Sequence, residues 1–395
     1  MSDVVVIGAG ASGLTAAIYA SSKNNVVVLE RYDKSAKKIL VTGNGRCNYW
    51  NSDMNLSHYY SNNLSFLDNY INEEDVLDYF DDLGIIPFIK NGYYYPYSMQ
   101  ANSVREALVS ECINRNIKII NNYEVVDIKK IDNRFIINND ISCDKLIVAT
   151  GSNAYYKEEN KGYSIAKSFG HNIIKVLPSL VQLIGNGDYF KEWGGVRSNV
   201  TVSVLVDNRK VKNENGEIML TDYGVSGICV FNLSHIAVES LDLNKNVKVS
   251  INFLPNIDDV KTFFYERRNK FLNRNIEGFF NGLFNKKLIN VFIRKSGLSS
   301  DKKCSTLTDF EINTLIDLIC NFEVDIVGYR SFDSSQVCMG GVDTSEIDST
   351  TMESKIMKNL YFVGEIVDVD GDCGGYNLAF AWQSGIKAGR SVCDD

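Results

Sequence analysis

The sequence predicts an α/β protein in which one parallel-sheet domain is interrupted by an inserted module. Three observations support this prediction. Residues 4–30 run through a β-branched segment, a glycine turn, a helix of small residues and a second β-branched segment, which is the order of a parallel βαβ unit. Alternating strands and then aromatic-rich helices follow after about residue 182. Glycine-rich strands and turns return after residue 330.

The elements of the first part follow from β-branched runs and from the helical spacing of apolar residues. Residues 12–21 and 102–115 are predicted helices, the second because Val104, Leu108 and Cys112 fall on one helix face. The predicted strands are 4–7, 26–29, 117–120, 123–128, 135–137 and 146–149.

The inserted module, at roughly residues 183–330, contains two kinds of sequence. Strand-like runs at 200–206, 217–220 and 247–253 are separated by polar turns, which indicates antiparallel pairing. From residue 257 to about 321 the pattern becomes helical. We expect its recurring apolar residues to pack in a core; they are Phe263, Phe264, Phe271, Leu272, Phe279 and Phe280.

The composition predicts a cytoplasmic protein without a metal centre, a membrane partner or a nucleic-acid partner. A net charge of −8 argues against a dedicated nucleic-acid binder, which usually has a basic face. The nine cysteines are odd in number and show no C-x-x-C spacing, which argues against disulfides or zinc. The three histidines lie far apart, without ligand spacing. Neither a secretory signal nor a membrane span is evident.

The first motif that carries chemistry is a glycine turn between the first predicted strand and helix. Gly8 permits a tight turn, Gly10 lets the main chain approach a pyrophosphate, and Gly13 lets the helix pack on the sheet. The phosphates would lie at the helix N-terminus, and Glu30 after the second strand would accept ribose hydrogen bonds. In this βαβ context the motif predicts dinucleotide binding rather than an empty glycine-rich turn.

A second motif, at residues 37–48, is rich in glycine, basic and amide residues. Such a segment can follow a cofactor with its main chain, while Lys38 or Arg46 offsets phosphate charge. It favours FAD over NAD as the dinucleotide, although read alone it could equally be a surface turn.

A third motif is the buried strand that ends in Thr150 and Gly151. A strand that ends in this way would bring main chain close to a bound nucleotide. An ordinary strand end is the alternative.

A fourth motif lies near the C-terminus. A strand leads through Gly364 and Glu365 to an acidic turn, and a glycine pair that ends at Gly375 opens a helix. The acids could bind ribityl hydroxyls, and the positive end of the helix dipole would stabilise the negative charge of a reduced flavin. The alternatives are a calcium loop, whose ligand spacing does not continue, and a solvated acidic turn.

Together these segments resemble the BaiN-like, aminoacetone-oxidase-like family of bacterial FAD-binding oxidoreductases. The resemblance covers essentially the whole chain. The phrases that carry it are KKILVTGNGRCN at 37–48, GEIMLTDYGVSG at 216–227, TMESK at 351–355 and NLYFVGEIVDVDGDCGGYNLAFAWQSG at 359–385.

The resemblance implies three domains and a set of FAD-contacting residues. It implies a discontinuous Rossmann-like FAD-binding domain at 1–182 and 331–395, an inserted β domain at 183–256 and a helical cap domain at 257–330. FAD would be non-covalent. Its expected contacts are Ser12, Glu30, Lys38, Gly43, Asn44, Arg46, Cys47, Val125, Glu365, Asp368, Gly375, Tyr376 and Asn377. The sequence departs from the family at Ser152, Asp222 and Ile228, so no substrate is carried over.

The function expected from this reading is redox chemistry on a small organic molecule. An NAD(P)H-fed reductase of a conjugated acceptor is favoured. NAD(P)H would visit only transiently, because no second G-x-G-x-x-G follows a strand. An oxygen-using oxidase of an aminoacetone-type amine is the alternative, and an RNA-acting or non-catalytic flavoprotein is an alternative of another class.

Side chains on the substrate side are less clearly marked. The candidates are Asp222, Tyr223 and Tyr95, and no catalytic acid or base is marked out. We expect the insertion to cover the flavin face and to select the substrate. Cys47 is expected to be a buried, inert thiol rather than a redox-active one.

Overall fold

The computed structural model describes residues 2–68, 73–155 and 159–394. The chain divides into two compact units. Met1–Leu177 and Val337–Asp395 form unit 1, and Pro178–Gln336 forms unit 2. The further division of the insertion into a β domain and a helical cap stays a prediction.

The longest strands, β13 and β14, belong to unit 2. Their bounds are β1 Ser2–Ile7, β2 Val26–Leu29, β3 Trp50–Asn51, β4 Tyr59–Tyr60, β5 Pro87–Lys90, β6 Tyr93–Pro96, β7 Lys118–Ile120, β8 Ile128–Ile131, β9 Arg134–Ile137, β10 Ile141–Val148, β11 Ile173–Ser179, β12 Leu183–Asn186, β13 Arg197–Val206, β14 Arg209–Leu220, β15 Gly224–Ser226, β16 Val247–Asn252, β17 Phe322–Tyr329, β18 Val337–Val342, β19 Leu360–Phe362 and β20 Asp370–Gly371.

The α-helices occur in both units. They are α1 Ala11–Ala20, α2 Glu73–Asp82, α3 Ala101–Asn114, α4 Lys161–Ser168, α5 Phe190–Trp193, α6 Ile228–Asp242, α7 Val260–Lys270, α8 Ile276–Phe280, α9 Lys286–Ser296, α10 Asp309–Cys320 and α11 Tyr376–Ser391. No helix in the described residues is both long enough and apolar enough to cross a membrane.

Unit 1 is built on a largely parallel sheet in the order β7-β2-β1-β10-β9-β8. The second half of β10 pairs in parallel with β19, and its first half pairs with antiparallel β9. The register aligns Ile7 with Val148, and Val148 with Phe362. The chain therefore leaves β1, β10 and β19 at the same edge of the sheet, which is where ligands of open α/β sheets bind.

Helices α1 and α11 pack very closely beside this sheet. A side chain at Gly385 would lie 2.6 Å from the Ser12 carbonyl oxygen, and one at Gly389 would lie 2.6 Å from that of Ala16. Small residues at both positions therefore let the two helix backbones meet. The contact also ties the C-terminal helix to the helix that follows the glycine turn.

Unit 2 contains a closed six-stranded barrel in the order β12-β15-β14-β13-β16-β17. Phe264, Phe279 and Phe280 on α7 and α8 are fully buried and pack edge to face, as predicted for a core. Phe263 and Phe271 are only half-buried and Leu272 is 46% exposed, so the core prediction is wrong for these three residues.

One predicted strand is absent from the structure, and one of its helices has no counterpart among the predicted elements. Residues 123–127 are not a strand, because the Asn138 amide oxygen accepts the N–H groups of Val126 and Asp127 in place of a neighbouring strand. Helix α6 was not predicted. It is apolar on most of its surface and buried against β13 and β14, so its sequence lacks a clear amphipathic pattern.

Candidate functional site

Two glycines of the turn after β1 are explained by packing within the protein. A side chain at Gly8 would collide with the main chain of Ala149, at the end of β10. One at Gly13 would collide with the carbonyl oxygen of Gly8. These residues therefore hold the end of β1, the end of β10 and the start of α1 close together, as the motif predicts.

Gly10 is different, because nothing in the protein requires it to be glycine. It precedes α1 with an ordinary extended conformation, at φ −85°. A side chain there would meet no atom of the described chain within 4 Å, apart from its chain neighbours. Among the described residues, no side-chain cap is seen at the start of α1. The structure thus provides open space beside free N–H donors, which suits a phosphate group.

Glu30 lies where the motif predicts, buried at the end of β2. One carboxylate oxygen accepts the Ala9 N–H at 2.8 Å, and the other accepts the Tyr32 N–H at 2.9 Å. Each oxygen retains one acceptor site for a ligand hydroxyl. The main chain of the nearby Val125 makes no hydrogen bond to another described residue, so it too can meet a ligand.

The segment after residue 36 has an unusual backbone. Gly43, Asn44 and Gly45 all have positive φ, at +54°, +55° and +79°, and Cys47 has φ +56°. Successive main-chain groups in such conformations form a concave surface that suits anions. Arg46 is exposed within this run. Cys47 is buried, and burial raises the pKa of its thiol to about 12, so the thiol stays protonated.

Two residues predicted to contact FAD contact each other. The Lys38 ammonium lies 2.5 Å from Glu365 Oε2, and the Ser152 hydroxyl donates to the same oxygen at 3.5 Å. The charge of Lys38 is therefore balanced within the protein. Lys37 and Arg46 are the exposed cations of this segment.

The edge of the sheet is completed by the ends of β10 and β19. Thr150 Oγ1 is buried without a hydrogen-bond partner among the described residues. The Asn160 amide donates to the Gly151 carbonyl. Ser12 donates to the Val363 carbonyl at 3.3 Å, and a side chain at Gly364 would collide with Ser12. The unpartnered hydroxyl of Thr150 is the kind of group that a bound nucleotide would satisfy.

The acidic turn after β19 is buried and held by its own hydrogen bonds. Asp368 accepts the N–H of Asn62 at 3.0 Å. The Asn377 side chain accepts the Gly371 N–H at 2.9 Å and donates to the Gly371 carbonyl at 2.7 Å. Asn377 therefore shapes the turn that leads into α11, a role that the motif alone did not reveal.

A histidine that the sequence did not mark lies beside the start of α11. His58 Nδ1 is 3.1 Å from Asp372 Oδ2, and its Nε2 is 3.3 Å from Asp53 Oδ2. The His58 ring stacks on Tyr376, with centroids 4.5 Å apart and planes 18° apart. His58 and Asp372 are 314 residues apart in the chain, so no spacing pattern could have found the pair.

The tyrosines of β6 fall on two faces. Tyr94 turns to Tyr49, with ring centroids 6.2 Å apart. Tyr95 is half-buried, and burial and the neighbouring Tyr93 raise its pKa, while Arg46 lowers it. Tyr93 would lie 3.0 Å from a side chain at Gly374. Tyr93 thus borders the glycine pair before α11.

The remaining substrate-side candidates belong to unit 2. Asp222 is exposed and Tyr223 half-buried in the turn between β14 and β15. The Arg330 guanidinium lies 5.5 Å from the Tyr223 ring centroid. Among the described residues, no group of three or more His, Cys, Asp and Glu could hold a metal ion.

The donor set at the sheet edge fits FAD. The open space at Gly10 and the uncapped start of α1 suit a pyrophosphate, and buried Glu30 suits a ribose. The unpartnered Thr150 hydroxyl and buried Asp368 offer further polar contacts. Such a site on a divided nucleotide-binding domain defines the FAD-dependent oxidoreductases, and this chain is one that acts on a small organic substrate.

The chain belongs to the HI0933-like family, whose Rossmann-domain model matches residues 2–391. It is 35% identical to the 3-dehydro-bile acid delta(4,6)-reductase of Clostridium scindens over 407 aligned positions, which cover 100% of both chains. It is also 30% identical to the ribosomal RNA dihydrouridine synthase of Haemophilus influenzae, over 99% of this chain and 98% of that one. The resemblance inferred from the sequence is confirmed.

Solved structures share the fold at low sequence identity. A 3-ketosteroid-delta4-(5alpha)-dehydrogenase from Rhodococcus jostii matches with a TM-score of 0.52 at 12% identity, over 100% of this chain and 97% of that one. A flavocytochrome c3 fumarate reductase matches with a TM-score of 0.51 at 13% identity, over 99% and 78%. The predicted fold class, a Rossmann-type α/β protein, is confirmed.

Proposed function

We propose that the chain is an NAD(P)H-fed reductase of a carbon–carbon double bond conjugated to a carbonyl group. The observation that carries this proposal is the 35% identity to a 3-dehydro-bile acid delta(4,6)-reductase over the whole of both chains. The proposal sets the reaction in the cytoplasm and needs neither a membrane nor a nucleic acid. A 3-oxo bile acid with conjugated double bonds is the first substrate to test.

The roles of the site residues in this proposal follow from their positions. FAD, when bound, supplies hydride transfer between the nicotinamide and the acceptor. The first turn of α1 and Gly10 would hold the pyrophosphate, and Glu30 would hold the adenosine ribose. The left-handed run at 43–45 and Arg46 would follow the cofactor phosphates. Asp368 and Glu365 would orient the ribityl chain.

The test is an anaerobic two-step experiment that follows flavin absorbance. The FAD-loaded protein is mixed with NADH or NADPH, and the conjugated ketone is then added. We expect bleaching in the first step and return of the oxidised spectrum in the second, with the saturated ketone as product. The proposal would be refuted if neither NADH nor NADPH bleached the flavin.

The same anaerobic experiment distinguishes the reductase from an aminoacetone-type oxidase. An oxidase would be bleached anaerobically by the amine and restored by air with release of hydrogen peroxide. The reductase proposal predicts no bleaching by aminoacetone. If the amine bleaches the flavin and neither NADH nor NADPH does, the oxidase is the function and the reductase proposal fails.

Reduction of a pyrimidine in RNA is the second candidate. The ribosomal RNA dihydrouridine synthases of Escherichia coli and Haemophilus influenzae are 29% and 30% identical over nearly the whole chain. The guanidinium groups of Arg267 and Arg274 and the Lys270 ammonium lie 4.9, 4.0 and 5.7 Å from the ring centroid of Phe271. The net charge of −8 does not reveal this local cluster of cations. Cations around an aromatic ring suit a nucleic-acid strand.

An electrophoretic or fluorescence titration with ribosomal RNA separates the second candidate from the first. The reductase proposal predicts no binding that survives physiological salt. Tight binding at physiological salt that is lost in R274E and kept in R197E, an exposed arginine on β13, would favour the RNA candidate.

A further inference from the structure

We propose that Asp372, His58 and Asp53 form a proton relay that connects solvent to the start of α11 and supplies the proton of the reductive step. The proposal rests on the proposed function for the identity of the acceptor. It adds the source of the proton, for which the sequence marks out no acid or base.

The relay is continuous in the structure. The Tyr60 hydroxyl donates to Asp372 Oδ1 at 3.2 Å, and Asp372 Oδ2 faces His58 Nδ1 at 3.1 Å. His58 Nε2 faces Asp53 Oδ2 at 3.3 Å. All three separations lie near or just beyond the usual hydrogen-bond range. Carboxylates therefore face both ring nitrogens of one histidine.

The two ends of the relay differ sharply in exposure. The side chain of Asp372 is 4% exposed, that of His58 29%, and that of Asp53 72%. A proton that enters from water at Asp53 thus reaches a buried carboxylate in two steps. A proton relay requires such a decrease in side-chain exposure from one end to the other, whereas both partners of a surface ion pair are exposed.

The backbone holds the inner end in place. Strand β4 pairs with β20, so that Gly371 lies opposite Tyr59, and the Asp372 N–H donates to the His58 carbonyl at 2.8 Å. The His58 ring lies flat against Tyr376, and the Tyr59 hydroxyl donates to the Tyr376 carbonyl at 3.1 Å. The relay is therefore fixed to the first residue of the helix whose start would face the flavin.

The chemistry balances with one proton from this path. The double bond accepts a hydride at its β-carbon, which brings two electrons and leaves an enolate. The enolate takes one proton, at carbon or oxygen, through Tyr60 and Asp372. His58 returns a proton to Asp372, and water at Asp53 returns one to His58. General acid assistance of this kind contributes about 10²- to 10⁴-fold.

The test compares two acceptors that differ in their need for a proton. Menadione and a conjugated ketone each take a hydride and a proton, whereas ferricyanide takes electrons alone. We expect H58Q and D372N to slow reoxidation by the first two about 10²-fold and to leave ferricyanide reduction unchanged. Added imidazole should restore H58A. H235Q, on α6 of unit 2, is the matched control and should behave as wild type.

A structural role would give a different pattern. FAD affinity, measured by fluorescence titration, and melting temperature should stay at wild-type values in H58Q. Equal slowing with all acceptors, or loss of FAD, would show that His58 only packs against Tyr376 and would overturn the relay. Unchanged rates with every acceptor would also overturn it. If wild type reduces no conjugated ketone, the proposed function fails, while the ratio of menadione to ferricyanide rates still decides the relay.

Discussion

The space beside Gly10 leads to a prediction that separates cofactor binding from folding. In G10V the new Cβ meets no atom within 4 Å in the described chain, apart from its chain neighbours, and φ −85° is allowed for valine. The apoprotein should therefore melt within about 2–4 °C of wild type, equivalent to about 1 kcal/mol. The same side chain fills the space for the pyrophosphate. Loss of two charge-assisted hydrogen bonds, at about 1.5–3 kcal/mol each, weakens FAD binding roughly 10²- to 10⁴-fold.

The matched control is G13A, whose methyl group collides with the Gly8 carbonyl oxygen. This variant should lose apoprotein stability, because backbone at that contact cannot move away without disturbing β1 and α1. The assay is apoprotein melting by circular dichroism, followed by titration of flavin fluorescence with each variant. Near-normal FAD affinity in a folded G10V protein would refute the reasoning, as would a loss of stability equal to that of G13A.

Four further predictions concern the cofactor, its ribose contact, one buried histidine and the substrate. The purified protein should be yellow and should release FAD on denaturation, and cofactor retained by the denatured chain would contradict this. E30A should weaken FAD binding by about 1.5–3 kcal/mol and also lower apoprotein stability, because Glu30 accepts two main-chain N–H groups, whereas E30Q should do less of both. Burial lowers the pKa of His171 in the folded protein, so the folded state is fully favoured above the ordinary pKa of histidine and loses stability as the pH falls below that value. Urea unfolding from pH 8 to pH 5 should show this fall in the free energy of unfolding, and the fall should be smaller in H171Q. D222H should change turnover or substrate preference with FAD content intact, and an unchanged substrate profile would make Asp222 a surface residue.

The local parts of the site could be predicted because their chemistry is written in consecutive residues. The glycine turn and Glu30 follow from the βαβ pattern of residues 4–30, and the end of β10 follows from its own buried run. Residues 123–127 could not be assigned in the same way. Their β-branched residues suit a strand, but the Asn138 side chain satisfies the main chain instead, and this bond depends on a turn elsewhere.

The long-range contacts of the site were beyond the reach of spacing arguments. Lys38 and Glu365 were each predicted to touch FAD, yet their 2.5 Å ion pair joins residues from opposite ends of the chain. The pairing of His58 with Asp372 has the same character. A residue's charge can be read from sequence, but whether another residue already neutralises it depends on the fold. For this reason Lys37 and Arg46, and not Lys38, are the exposed cations of the segment.

The shared edge of β10 has a consequence for synthesis of the chain. Strand β19 supplies one of the two parallel neighbours of β10, and α11 supplies the close partner of α1, but both lie after the whole of unit 2 in sequence. The ribosome therefore synthesises all of unit 2 before it synthesises β19, the last strand of the nucleotide-binding sheet. Domains tend to fold as units while the chain emerges, and distant pairings form slowly. During that interval one edge of β10 is unpaired. FAD can stabilise the glycine turn only after α11 has been synthesised and has packed against α1.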